Sequence, residues 1–394
     1  MGSVKTFTDA DVSGKRVLCR VDFNVPLEGT TVTDDTRIQA ALPTITSLID
    51  RGAKVILCSH LGRPDGVGYQ AEFSLAPVAD HLEQVLGQPI AFAQDTIGSS
   101  AQEVVAGLEN GQVALLENVR FDKREKKNDP EFAQALAALA DVYVNDAFGA
   151  AHRAHASTAG VAAYLPSYAG ALMTKEVSTL STMLDSPRHP FVAILGGSKV
   201  SDKVAVIDAL IDKCDTLIIG GGMCFTFLVA QGYTVGTSLM EADWVDRAKD
   251  MLAKAQEKGV SILLPTDVVC ADAFSNDAQT LTCGVDAIPA DMMGLDIGPA
   301  TTAAYADAIA QAQTVFWNGP MGVFEMSSFE AGTKGVALAV AANKSADTII
   351  GGGDSVAAVN KFSLADQMTF ISTGGGASME LVEGEVLPGV EALK

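Results

Sequence analysis

Apolar runs of strand length alternate with segments of helical period almost from one end of this chain to the other, and that alternation constrains the fold most. In the first part RVLCRVDFNV, AKVILCSH, PIAFAQ, QVALLENVRF and DVYVNDAF read as strands. Between them RIQAALPTITSLIDRG, LAPVADHLEQVLG, SSAQEVVAGLENG and DPEFAQALAALA place apolar residues three and four apart, the period of a helix with one buried stripe. Strands that are apolar throughout and joined by helical crossovers form a parallel sheet covered on both faces. The pattern resumes with PFVAILGG, DTLIIGGG, VSILLPTDVV, QTVFWNGP, DTIIGGGD and FISTGGG, separated by helices such as DWVDRAKDMLAKAQEKG and TTAAYADAIAQA.

A chain of 394 residues exceeds one ordinary core, so more than one domain is expected. From Pro166 the pattern changes: Leu172, Met173, Val177, Leu180 and Leu184 keep helical spacing, with no strand expected before PFVAIL. The expected fold class is α/β, with two Rossmann-like parallel-sheet domains of three-layer α/β/α form joined by a hinge helix. The boundaries fall at residues 1–165, 166–185 for the helix, 186–376, and a final segment 377–394.

The formal net charge of −21 repels polyanions, which argues against nucleic acid or an anionic membrane as partner. Arginine is nevertheless concentrated before residue 160, and only Arg188 and Arg247 follow. The six cysteines form no CxxC pair and sit largely in apolar runs, as free thiols do in a reducing compartment. The chain start has no apolar signal region, no run approaches the ~18 residues of a membrane span, and the cytoplasm is expected. The opening MGSVKT fits a loose myristoylation pattern but lacks a polybasic companion.

Four strands of the second part end on glycines: Gly196-Gly197, Gly220-Gly221-Gly222, Gly351-Gly352-Gly353 and Gly374-Gly375-Gly376. Strand ends of a parallel sheet share one edge, so these turns should line one cleft, where backbone N–H groups can meet phosphate. Each turn alone is equally well explained as a tight strand-to-helix connection. A Walker sequence is missing, and so is a clean GxGxxG in the first strand-helix turn. Asp354, directly after one triplet, could hold Mg²⁺ between two phosphates or simply cap a helix. Lys199 and Lys203, four apart, are expected on one helical face near the same edge, a position that a solvated face would also explain.

In the first part the polar residues stand where strands run out: Asp22 and Asn24, His60 and Arg63, Arg120, and Arg153, with Arg37 opening the first helix. A guanidinium fork suits carboxylate and phosphate oxygens, and a small polyanion is the natural guest. Any one arginine could instead pair with a surface carboxylate. His152 and His155 lack a third ligand at metal spacing, so zinc is not expected.

RVDFNVPL, SHLGRP, ENVRF, DAFGAAHRAHAST, ILGGSKVSDK, IIGGGMCFTFL, MGLDIGP, WNGPMGVFE, IIGGGDSVAAV and STGGGASMELVEG together resemble, in order, the phosphoglycerate kinase family. The resemblance implies reversible phosphoryl transfer between 1,3-bisphosphoglycerate and MgADP, giving 3-phosphoglycerate and MgATP, by a cytoplasmic monomer that closes about its hinge. It implies that residues 1–165 bind 3-phosphoglycerate through Asp22, Asn24, Arg37, His60, Arg63, Arg120 and Arg153. Residues 186–376 would bind nucleotide through Gly196, Gly197, Lys203, Gly220, Gly221, Gly294, Asn318, Pro320, Glu325, Gly351, Gly352, Gly353, Asp354 and Ser355, with Asp354 serving Mg²⁺. Arg37, Lys199 and the amides of Gly352 and Gly375 fall where the family stabilises the transferring group, and residues 377–394 should return to the first domain. Ala150 and Ser355 stand where the family often has threonine, and neither change removes a charge.

A carboxylate acceptor is already ionised at neutral pH, which fits a chain without an evident acid-base pair. Two other classes fit the residues less well. A nicotinamide oxidoreductase is disfavoured by the missing GxGxxG, and a non-catalytic phosphometabolite sensor by the presence of Lys199, Arg37 and Asp354 together.

Overall fold

The computed structural model describes residues 4–394, so Met1–Ser3, where the MGSVKT pattern begins, lie outside the described residues. The chain divides into two compact units, one running to Ser178 and including Val386–Lys394, the other Thr179–Glu385.

The first unit is built on a six-stranded sheet ordered Ile90–Phe92, Val113–Leu115, Lys54–Cys58, Arg16–Arg20, Val142–Asn145, Ser167–Ala169. Every pairing in it is parallel, and Arg20 aligns with Cys58 on one side and Asn145 on the other. The central strands are buried nearly end to end, as sheets covered on both faces require. The helix Thr36–Asp50 buries Ile38, Ala41, Ile45 and Leu48, a stripe of period three to four, and so carries Arg37 to the sheet edge. Full burial of each such large aliphatic side chain stabilises by about 1.5–3 kcal/mol.

The second unit has a six-stranded parallel sheet ordered Ser261–Leu263, Thr216–Ile219, Phe191–Leu195, Thr314–Asn318, Asp347–Ile350, Phe370–Ile371. In chain order within the unit this is 3-2-1-4-5-6, the doubly wound arrangement whose direction reverses between Phe191–Leu195 and Thr314–Asn318. Such a reversal opens a crevice beyond the strand ends.

Three expectations need correction. A strand does precede PFVAIL: Ser167–Ala169 adds to the edge of the first sheet, and the helix starts only at Ala171, running Ala171–Asp185. Three residues are too few to display a period, so the edge strand was hidden beside a strong helical signal. VSILLPTDVV is two strands, because Pro265 offers no N–H to a ladder. Ser261–Leu263 stays in the main sheet, whereas Asp267–Ala271 enters a separate antiparallel sheet with Thr280–Gly284 and Met293–Ile297. Lys199 and Lys203 do not share a helical face, since the helix is Val204–Ile211 and Lys203 stands only at its cap.

The chain end packs on the first unit. Gly389 N donates to Ala151 O at 2.8 Å, Lys5 N donates to Leu393 O at 3.3 Å, and Leu387, Val390 and Leu393 are buried.

Candidate active site

In the first unit the residues after the central strands form one bonded circuit. Arg37 Nη1 donates to Asp22 Oδ2 at 2.8 Å, and Asn24 N donates to Asp22 Oδ1 at 3.2 Å. Asn24 Oδ1 accepts from Gly62 N at 2.8 Å, and Gly62 O accepts from Arg120 Nη1 at 2.8 Å. Arg120 is aimed by Asn118, whose Oδ1 takes its N–H at 3.0 Å. His60 is buried, with Nδ1 3.0 Å from an Arg20 nitrogen.

The charge there is lopsided. Burial, then Arg20, Arg120 and Arg37, holds His60 well below the usual imidazole range. Burial, then Arg120 and Arg20, takes His155 down to about 4. Arg120 is itself pulled down by burial and by Arg20, against the opposing charges of Glu125 and Asp22, and its buried Nε has no protein partner. A buried donor without an acceptor costs about 1–3 kcal/mol, which an incoming anion would recover. Arg63 and Arg153 are exposed; Arg153 is placed through its carbonyl, which accepts from Thr158 Oγ1 at 2.8 Å.

In the second unit three glycine turns interlock at the crevice. Gly196 N donates to Asn318 O at 2.9 Å, Gly197 N to Pro320 O at 3.1 Å, and Gly221 N to Met321 O at 2.9 Å. Gly221 has φ +67°, and a Cβ there would lie 2.5 Å from Gly197 O and 2.9 Å from Pro320 O, so only glycine allows this approach. Lys203 Nζ donates to Asn318 Oδ1, and Asn318 Nδ2 donates to Gly351 O at 2.7 Å. Ser355 Oγ accepts from Gly319 N at 2.5 Å. Burial lowers Lys203, opposed first by Asp354.

Beside these turns lies a cavity of about 750 Å³ lined by Gly197, Gly221, Gly294, Pro320, Glu325 and Asp354 among others. Its apolar wall includes Phe225, Leu239, Phe274, Met293 and Val323. That size and lining suit an aromatic base with phosphates at the glycine edge. The first turn of the helix Gly353–Lys361 carries Asp354, exposed, while the turn holding Gly375, at φ +53°, precedes the helix Gly376–Val382. Lys199 is exposed beyond the Gly196-Gly197 turn; burial pushes Glu241 up, but the hydrogen bonds from Ser201 and Val200 and the charge of Lys199 outweigh it and hold that carboxyl low.

A family profile described as phosphoglycerate kinase matches residues 7–385. The chain belongs to the phosphoglycerate kinase family. It is an enzyme with phosphoglycerate kinase activity, a step of glycolysis. The phosphoglycerate kinase of Rippkaea orientalis is 59% identical over 394 residues, covering 99% of this chain and 98% of that one. That of Synechococcus elongatus is 58% identical over 395 residues, at the same coverage. The solved structure of phosphoglycerate kinase from Coxiella burnetii superposes with a TM-score of 0.92 at 46% identity, covering 99% and 98% of the two chains. That from Pyrococcus horikoshii gives 0.84 at 31%, again covering 99% and 98%. Phosphoglycerate kinases generally work on a magnesium nucleotide. Among the described residues no helix is long and apolar enough to cross a membrane.

Sequence reasoning overlooked two parts of this phosphoglycerate kinase site. Arg20 and Glu125, both 0% exposed, lie beneath the arginine cluster, each bonded to Ser157 Oγ, at 2.8 and 2.6 Å. A charged residue closing an otherwise apolar strand, VLCRV, was the available signal for Arg20. The apolar cavity wall left no signal, because its residues are separated by tens of positions in the chain.

Proposed function

We propose that the first unit binds 3-phosphoglycerate or 1,3-bisphosphoglycerate through Asp22, Asn24, Arg37, His60, Arg63, Arg120 and Arg153, and that the second binds ADP or ATP. The observation that carries the reading is the unsatisfied Arg120 Nε inside a cluster of arginines, in a protein of net charge −21. Asp22 and Glu125 offset part of that charge, and a bound anion would neutralise more of it and give Arg120 Nε an acceptor. In the second unit the apolar cavity takes the base, Glu325 the ribose, and the turns at Gly196, Gly197, Gly220, Gly221 and Gly351–Gly353 the phosphates, with Lys203, Asn318, Pro320 and Ser355 fixing those turns.

The residues present fit Mg²⁺ brought in on the nucleotide. No group of three His, Cys, Asp or Glu side chains is assembled for a metal among the described residues, and Asp354 supplies one exposed carboxylate beside the phosphate turns. Mg²⁺ takes few protein ligands and keeps waters, and when bound it neutralises charge on the phosphates.

The acceptor carboxylate, ionised at neutral pH, attacks the terminal phosphorus in line, and no general base is needed. Charge in the loose transition state spreads over the equatorial oxygens. Lys199, Arg37 and the amides of Gly352 and Gly375 meet those oxygens and supply most of the catalysis. Because the two substrates are held by different units, the reaction requires those units to close about the linking helix and exclude water. We place this chemistry in the cytoplasm, where the family typically works, and in a monomer.

The test is acyl-phosphate formation from 3-phosphoglycerate and MgATP, trapped with hydroxylamine. Trapping by the native chain and its loss in Lys199→Ala supports the reading; no trapping by the folded native chain overturns it.

A further inference from the structure

Cys270 Sγ and Cys283 Sγ lie 3.9 Å apart on neighbouring antiparallel strands of the small sheet. The other four cysteines, Cys19, Cys58, Cys214 and Cys224, are buried, as is Cys270, so Cys283 is the most exposed of the six. We propose that Cys270 and Cys283 are a modification site, forming a reversible disulfide with a small-molecule disulfide as oxidant, and that this bridge alters the wall of the nucleotide cavity. The second half of this inference rests on reading that cavity as the nucleotide site.

The register places Cys283 opposite Val268 and Cys270 opposite Leu281, so the cysteines are diagonal neighbours. Diagonal Cα atoms stand roughly 7–8 Å apart against the ~5.5–6 Å that a relaxed bridge prefers. Closing the bond therefore draws the strands together, and the bridge is of the labile, readily reduced kind. The ladder can give at this point, since the pairing of Asp267–Ala271 with Met293–Ile297 shifts register between Val269 and Cys270.

The strands in question frame the cavity. Their connecting loop carries Phe274, a cavity-lining ring 62% exposed, and is tethered where Asn276 Oδ1 accepts from Ser328 N at 3.1 Å. Across the sheet Cys270 stands opposite Gly294, which packs on Phe225, another lining residue. Pulling the strands together against a fixed tether moves Phe274 and Gly294 relative to the base.

Burial pushes the Cys270 thiol up to about 12, which makes the solvent-reached Cys283 the first nucleophile. Cys283 loses its proton to water and its thiolate attacks one sulfur of the small disulfide. That S–S bond breaks and the released thiolate is protonated. Cys270 Sγ then attacks Cys283 Sγ, giving its proton to the second departing thiolate. Two cysteine thiols are oxidised by two electrons, and one disulfide is reduced to two thiols.

The full chain, reduced and then treated with oxidised glutathione, is digested without reductant and its peptides mapped, and KM for nucleotide is measured before oxidation, after it and after re-reduction. The expected result is a Cys270–Cys283 linked peptide pair and a severalfold change in nucleotide KM. Dithiothreitol should reverse both, and both should be absent in Cys283→Ser and in Cys270→Ala. A glutathione adduct at Cys283 without the linked pair overturns the site, and a linked pair with unchanged KM overturns its effect on the cavity. Peptide mapping needs no turnover, so failure of the functional reading is seen separately.

Discussion

The Arg20 guanidinium and Nδ1 of His60 are 3.0 Å apart, and both side chains are closed from solvent. Arginine has only donors, so Nδ1 must accept and the ring proton sits on Nε2, directed away from Arg20. His60 is thus neutral with Nε2 as its donor, the form that the proposed anion would meet, and its charge does not change near neutral pH. Nitrogen NMR should show an unprotonated Nδ1 with no titration between about pH 5 and 8; a transition near the ordinary value refutes it.

His155 adds a stability consequence. Its folded pKa of about 4 lies below the ordinary 6.5, so below 6.5 the unfolded state binds more protons. Stability is therefore full above 6.5 and declines as pH falls toward 4, by on the order of 2–3 kcal/mol from this group. Denaturant titrations of native chain and His155→Phe should show a difference that narrows in favour of the variant as pH falls.

Lys199 is exposed, and its replacement should leave folding within about 0.5 kcal/mol of native. On the transition-state role proposed for it, Lys199→Ala lowers kcat ~10²-fold or more with little change in KM. Arg37→Ala should lower kcat too, and should also raise KM for 3-phosphoglycerate because Asp22, only 9% exposed, loses its partner. A change confined to KM in Lys199→Ala removes the transition-state role.

Gly352 has φ +87° and faces the Asn318 amide, so an alanine Cβ there collides with Asn318 Nδ2. Gly352→Ala should cost about 1–3 kcal/mol of stability. It should also raise nucleotide KM, because Asn318 ties this turn to Lys203. Thermal unfolding and steady-state kinetics check both, and Gly353→Ala, where a Cβ meets nothing within 4 Å and φ is ordinary, is the contrasting control for stability.

Asp296, 3% exposed, accepts from Ile297 N at 2.9 Å and Gly332 N at 2.7 Å, yet burial outweighs both and raises it from 3.8 to about 7. Between those values the folded state holds a proton the unfolded state has lost, so stability falls as pH rises through that window. The effect is on the order of 3–4 kcal/mol. Asp296→Asn cannot ionise, so its stability relative to the native chain should improve from pH 4 to 7 and then level off. A difference that does not vary with pH contradicts the shift.

The strong elements were legible because each signal is local. Thr36–Asp50 shows its stripe within four turns, Phe191–Leu195 is apolar throughout, and Thr314–Asn318 has the apolar centre Val315–Trp317. Ser167–Ala169 was hidden because an edge strand of three residues owes its existence to Val142–Asn145, not to its own pattern. Lys199 and Lys203 were misplaced because spacing reveals a shared face only inside a helix, and the helix begins one residue after Lys203.

By itself the sequence determined the alternation of strand and helix, the glycine stops, the excess of arginine in one half and the ordered family motifs, all properties of neighbouring residues. Only the tertiary structure decided that Asn318 and Gly351 bind one another, that Arg20 sets the proton of His60, and that Cys270 meets Cys283. Those pairs depend on strand order and register, which arise from packing whole faces against one another, and no single segment encodes them.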